Sequence, residues 1–130
     1  MKNIKKGDKV VVAIEKGSNV ARSVNMSIEN ISNWTYEGTV VSAGRKYITV
    51  AFGVSNNMKF VIDDNYRNKY THGGADYRLY KTFEDVYKEI KAHELHSKIR
   101  EEFSSYSYNG KFSLETLEAI MELIKKEKEN

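Results

Sequence analysis

Apolar and polar positions along this chain change their period once, near residue 82. Before that point the apolar residues come in short β-branched runs; after it they recur at helical spacing. The first run, residues 9–14 (KVVVAI), predicts a strand that starts from the turn residues Gly7 and Asp8. Residues 34–42 and 45–52 predict two strands of a hairpin across Ala43-Gly44, with Gly44 expected to supply the positive φ of a tight turn. In the second arm, alternation assigns Ile48, Val50 and Phe52 to the core and Arg45, Tyr47 and Thr49 to the outer face. A fourth strand follows the polar turn Ser55-Asn56-Asn57 at 58–62, and a short fifth at 77–80 follows Gly73-Gly74. Between the first two strands, residues 15–33 show no sustained period and are rich in Ser, Asn and Gly. They read as a long loop with a short hairpin or a helical turn near 26–31, and loops of such length tend to carry contacts.

Thr82 begins the helical part as an N-cap, with Glu84 and Asp85 where they oppose the helix dipole. Phe83, Val86, Tyr87, Ile90, Leu95, Ile99 and Phe103 place the helix at about 83–102. Residues 104–110 read as a connector. Ser113 caps a second helix with the apolar stripe Leu114, Leu117, Ile120, Met121 and Ile124, and its tail at 125–130 is expected to fray. These helices carry more apolar surface than they can bury against each other, so the excess must cover the barrel or a partner, a homodimer through the helices included. The predicted fold is α+β in one domain: a five-stranded SH3-like antiparallel β-barrel at about 7–81, then a helical hairpin at about 82–130.

Two resemblances accompany this reading. Gly7-Asp8-Lys9-Val10 and the central hairpin at 38–50 (GTVVSAGRKYITV) resemble SH3-like and KOW-type barrels. Over a longer stretch, residues 44–50 (GRKYITV), Gly73-Gly74 before Leu79-Tyr80, residues 82–85 (TFED) and 112–117 (FSLETL) are similar to small barrel proteins of phages and mobile elements in low-GC bacteria. That resemblance implies a setting without assigning functional residues. By analogy with small phage accessory proteins it raises inhibition of host defence, of the anti-CRISPR type.

Composition narrows the class. At 130 residues, with 40% hydrophobic and 30% charged residues, the chain has room for one globular domain. It has no Cys, which excludes disulfides, thiolate zinc sites and a Cys nucleophile, and fits a reducing compartment. Its basic start has too short an apolar run for a signal peptide, and no stretch approaches a membrane span. The expected location is a bacterial host's cytoplasm, with no membrane partner. The sequons at Asn25, Asn30 and Asn33 matter only in a secreted chain. Net charge is +3, unevenly spread: residues 1–80 hold twelve Lys/Arg against seven Asp/Glu, and residues 81–130 hold nine against eleven.

Two groups have spacings that permit metal or acid–base chemistry: Glu89, His93 and His96 on the first helix, and Asp63, Asp64, His72 and Asp76 around the end of the fourth strand. Solvated helix faces and Asx-capped turns explain the same residues more simply. No nucleophile motif or phosphate-binding Gly loop is present, so no cofactor is expected, and a small metal-dependent enzyme is the least favoured reading. The more informative pattern interleaves aromatic and basic residues. Arg45, Lys46, Tyr47, Arg67, Lys69 and Tyr70 form the expected working surface, though nothing in the sequence shows that the two segments meet. The leading expectation is a non-catalytic phage-type binding protein acting on a host protein or nucleoprotein complex. Direct binding of single-stranded nucleic acid or RNA is the alternative, since bases stack on aromatic rings while Lys and Arg neutralise phosphates.

Overall fold

Strand β1 (Lys9–Ile14) forms where predicted, and β2 (Thr35–Ala43), β3 (Tyr47–Phe52) and β4 (Asn57–Val61) follow within two residues of their expected limits. The computed structural model describes residues 3–15, 18, 21, 26–53, 57–70, 74–106 and 112–129, with backbone alone at 105 and 106. Each strand runs antiparallel to the next, through β5 (Arg67–Asn68) and β6 (Tyr77–Tyr80), and β6 returns to β1 to close a barrel. Period-two alternation fills its interior with Val10, Val12, Val40, Ile48, Val50, Phe60 and Leu79, all at most 3% exposed. Gly38 belongs to the same packing: a Cβ there would lie 2.6 Å from Val50 Cγ1.

The barrel has six strands, not five. The missed strand, β5, is two residues long, too short to show any period, yet it pairs with β4 through Val61↔Arg67 and Phe60↔Asn68 and with β6 through Arg67↔Arg78. Pairing through it closes the sheet into a barrel. The chain reaches β5 by a 3-10 turn at Ile62–Asp64, which takes Asp63 and Asp64 out of the fourth strand. Asn65 and Tyr66 then adopt φ of 55° and 61°. That conformation is uncommon for Asn and an outlier for a bulky Tyr. Gly44 departs from expectation in the opposite sense: the positive-φ glycines among the described residues are Gly7, Gly53 and Gly74. The β2–β3 turn is closed by the Gly44 N–H donating to the Tyr47 carbonyl at 2.9 Å.

A second buried cluster joins Ala13, Ile14 and Trp34 to Val86 of α1 (Phe83–Tyr106), with Ile31 and Ile90 packed against it. Trp34 therefore leaves the predicted strand and follows a 3-10 turn at Ile31–Asn33. The predicted turn at 26–31 is partly realised: the Asn30 carboxamide oxygen accepts from the Ser27 N–H at 2.8 Å. Of the rest of the 15–33 loop, residues 16, 17, 19, 20 and 22–25 lie outside the described residues.

Thr82 caps α1 through its Oγ1, which accepts from the Asp85 N–H at 3.1 Å. The helix runs four residues past its predicted end, into the expected connector. Ser113 likewise caps α2 (Leu114–Glu129), whose tail stays helical to Glu129 rather than fraying. The chain divides into two compact units, Met1–Lys91 and Ala92–Asn130. The first holds the barrel and the start of α1. The second holds the rest of α1 and α2, with the Phe103 and Phe112 rings 5.2 Å apart. Among the described residues, no helix is long and apolar enough to cross a membrane.

Candidate functional site

On the outer face of the barrel, alternation in β3 turns Tyr47 and Thr49 away from buried Ile48 and Val50. The register Tyr47↔Val61 and Thr49↔Lys59 then sets Lys59 on the diagonal from Tyr47, within reach of a long side chain. Lys46 precedes Tyr47, and Lys69 is held beside β4 by its backbone N–H, which donates to the Lys59 carbonyl at 2.9 Å. Three ammonium groups consequently gather on one phenol ring: Lys46 Nζ at 5.5 Å from its centroid, Lys59 at 5.4 Å and Lys69 at 5.4 Å. Beside the ring lies an open groove of about 480 Å³, lined by Arg45, Lys46, Tyr47 and Lys59 with Ser42 and Thr49.

Among the described residues, no carboxylate comes within ion-pair distance of Lys46, Lys59, Lys69 or Arg45. Cations gathered without counterions make a local positive field, which favours an anionic ligand. Exposed cation–π contacts are worth only about 0.5–1 kcal/mol each. The lysines can therefore exchange the ring for phosphate oxygens at little cost and leave the aromatic face open to a base.

Four of the six residues singled out from sequence, Arg45, Lys46, Tyr47 and Lys69, lie around this ring and groove. The other two are placed differently. Arg67 turns to Glu15 at 3.5 Å and Asp64 at 3.6 Å, so its charge is balanced within the protein. Tyr70 is exposed, next to Lys69 in the chain. Lys59 was missed. Its outward position could be read from Met58-Lys59-Phe60, but its proximity to Tyr47 depends on strand register.

A separate polar cluster ties the start of α1 to β6. The Arg78 guanidinium donates to Glu89 Oε1 at 2.7 Å and, through Nε and Nη2, to the backbone and side-chain oxygens of Asn65, each at 3.1 Å. It thus pins the turn that holds Asn65 and Tyr66 at positive φ. The Tyr80 hydroxyl donates to Glu89 Oε2. Glu89 is therefore bound to Arg78 and Tyr80, where the sequence had grouped it with His93 and His96. Among the described residues, no three His, Cys, Asp or Glu side chains lie together in a way that could hold a metal ion. His72 lies outside the described residues.

Burial first, then the hydrogen bond to Glu89, raises the Tyr80 phenol above its ordinary value of 10.0, despite the opposing Arg78 charge. The unfolded chain releases that proton near pH 10 while the folded chain keeps it. The stabilisation is thus whole below about pH 10 and is lost as pH rises beyond it. Urea unfolding between about pH 9 and about pH 11 should show this decline, and Tyr80→Phe should make it shallower. An unchanged slope would place the Tyr80 hydroxyl in contact with water.

No match was found among curated proteins or solved structures. The family model for the phage ProQ C-terminal-like domain matches residues 1–129, nearly the whole chain, and takes in both the barrel that carries Tyr47 and the two helices. The chain belongs to the phage ProQ C-terminal-like domain family.

Proposed function

We propose that this chain is a non-catalytic phage-type binding protein that takes single-stranded nucleic acid on the Tyr47 face of its barrel. The observation that carries the proposal is the set of three ammonium groups around one ring, with no carboxylate in ion-pair distance among the described residues. A strand places phosphates at regular intervals along one side and bases along the other. Lys46, Lys59, Lys69 and Arg45 meet the phosphates, and Tyr47 offers a face for stacking. Lysine is depleted in protein–protein contact surfaces, whereas this face gathers three lysines on one ring. The phage setting makes a strand carried by a host nucleic-acid-handling complex the fitting target. Inhibition of host defence is one use of such binding and rests on the setting alone.

Titration of the full chain with a fluorescent single-stranded oligonucleotide tests the proposal. With three to four phosphates neutralised, affinity should fall about 20- to 50-fold between about 50 mM and about 200 mM salt. Absence of binding even at low salt would overturn the proposal and return the host protein partner to first place.

A further inference from the structure

Lys46, Lys59 and Lys69 set their ammonium nitrogens 5.5, 5.4 and 5.4 Å from the centre of one Tyr47 ring, so no two lie farther apart than twice that distance. The backbone fixes this convergence. Lys46 precedes Tyr47 in the chain, Lys59 pairs with Thr49 two residues beyond it, and Lys69 is bonded to Lys59 through its own N–H. Among the described residues no carboxylate offsets these charges at ion-pair distance, so positive charge is concentrated at one point rather than laid out along a line. The interior of a strand presents one charge per phosphodiester, spread along its length, and matches cations in a row. A terminal phosphomonoester instead brings about two charges and three acceptor oxygens to a single place. Together with the first diester behind it, its charge equals that of the three ammonium groups. Each lysine is a compact charge on a flexible stem and can turn to it. The groove beside the ring is also small: about 480 Å³, within the range that encloses one small-molecule ligand, with the β2–β3 turn at Ala43, Gly44 and Arg45 as part of its wall. It has room for one nucleotide, not for a run of them.

We infer that the Tyr47 face recognises the end of a strand: the terminal base stacks on Tyr47 while Lys46, Lys59 and Lys69 hold a terminal phosphomonoester. The inference rests on the nucleic-acid reading of this face and narrows its ligand to phosphate-ended strands. Arg45, on the groove wall, is left for the diester that follows. The chemistry is the same for a 5′ and a 3′ phosphate, and the experiment separates the two.

Binding of the full chain is compared for one single-stranded sequence of about 10 nucleotides in four forms: 5′-phosphorylated, 3′-phosphorylated, hydroxyl at both ends, and covalently circular. At least one phosphorylated form should bind about fivefold or more tighter than the hydroxyl-ended strand, with a salt slope steeper by about 0.7 for the added charge. The circle, which has no end, should bind no better than the hydroxyl-ended strand. The triple variant Lys46→Ala, Lys59→Ala and Lys69→Ala should bind phosphorylated and hydroxyl-ended strands alike, whereas Tyr47→Ala should weaken both and keep their ratio. A free 5′-mononucleotide should displace the phosphorylated strand at concentrations where inorganic phosphate, with no base to stack, does not. Equal binding of all four forms would overturn the inference and leave the nucleic-acid reading standing; binding of none, even at low salt, would remove both. A preference for phosphorylated ends that survives the triple substitution, or equal displacement by mononucleotide and inorganic phosphate, would also overturn it.

Discussion

Replacing Trp34 with alanine should cost about 3–5 kcal/mol of stability, the range for removing a large aromatic from a packed core. Trp34 is 1% exposed and belongs to the cluster that joins β1 to the first turns of α1 through Ala13, Ile14 and Val86. Its indole N–H donates to the Ser27 carbonyl at 3.2 Å and to Asn30 Oδ1 at 3.1 Å. Substitution therefore opens a cavity and also removes the donor from two acceptors. A domain of this size has a total stability of about 5–15 kcal/mol, so the loss should be plain as a large drop in the urea midpoint. Trp34→Phe keeps much of the volume and loses the N–H, and should fall between wild type and alanine. A change below about 1 kcal/mol for Trp34→Ala would mean that this second core contributes little, and that the barrel interior alone holds the first unit together.

The sequence made the barrel legible where a strand is long enough to show its period. Residues 47–52 alternate cleanly, and Ile48 and Val50 are buried as their positions require. It failed where the structure depends on something other than period. β5 has two residues and is fixed by pairing at Val61↔Arg67 and Arg67↔Arg78, which no local pattern encodes. The turn before it places Asn65 and Tyr66 at positive φ without a glycine, held by the Arg78 side chain from 12–13 residues further along. Trp34 looked like the start of a strand because it is apolar and precedes an alternating run. Tertiary packing against Val86 took it into a different core.

The candidate site divides in the same way. That Lys46 and Tyr47 share a surface follows from adjacency and alternation, whereas the approach of Lys59 and Lys69 to the same ring comes from the β3–β4 register and from the Lys69 N–H bond to Lys59. Arg67 reads as equivalent to Lys69 in sequence, two residues away on a basic-aromatic stretch. In three dimensions it is drawn to Glu15 and Asp64. Charge in a sequence gives the inventory; the ion pairs formed within the fold decide which charges are left to offer a ligand.

That distinction sets the largest expected effect on binding. Tyr47→Ala should weaken capture of a single-stranded oligonucleotide roughly 5- to 150-fold, the equivalent of about 1–3 kcal/mol for one stacked base. The triple variant Lys46→Ala, Lys59→Ala and Lys69→Ala should act through charge and leave its mark on the salt dependence. The slope of log affinity against log salt should become shallower by about 2, at about 0.7 for each phosphate of a single strand that is no longer neutralised. Both variants alter outward-facing side chains, so their melting temperatures should stay close to wild type. Arg67→Ala serves as the internal comparison: its charge is already balanced by Glu15 and Asp64, so oligonucleotide affinity and salt slope should hardly move, while folding stability falls modestly as those two ion pairs are removed. If Arg67→Ala weakens binding as much as the lysine triple does, the strand lies along β5 instead of over Tyr47. If all these variants bind as wild type does, the working surface is not on this face of the barrel.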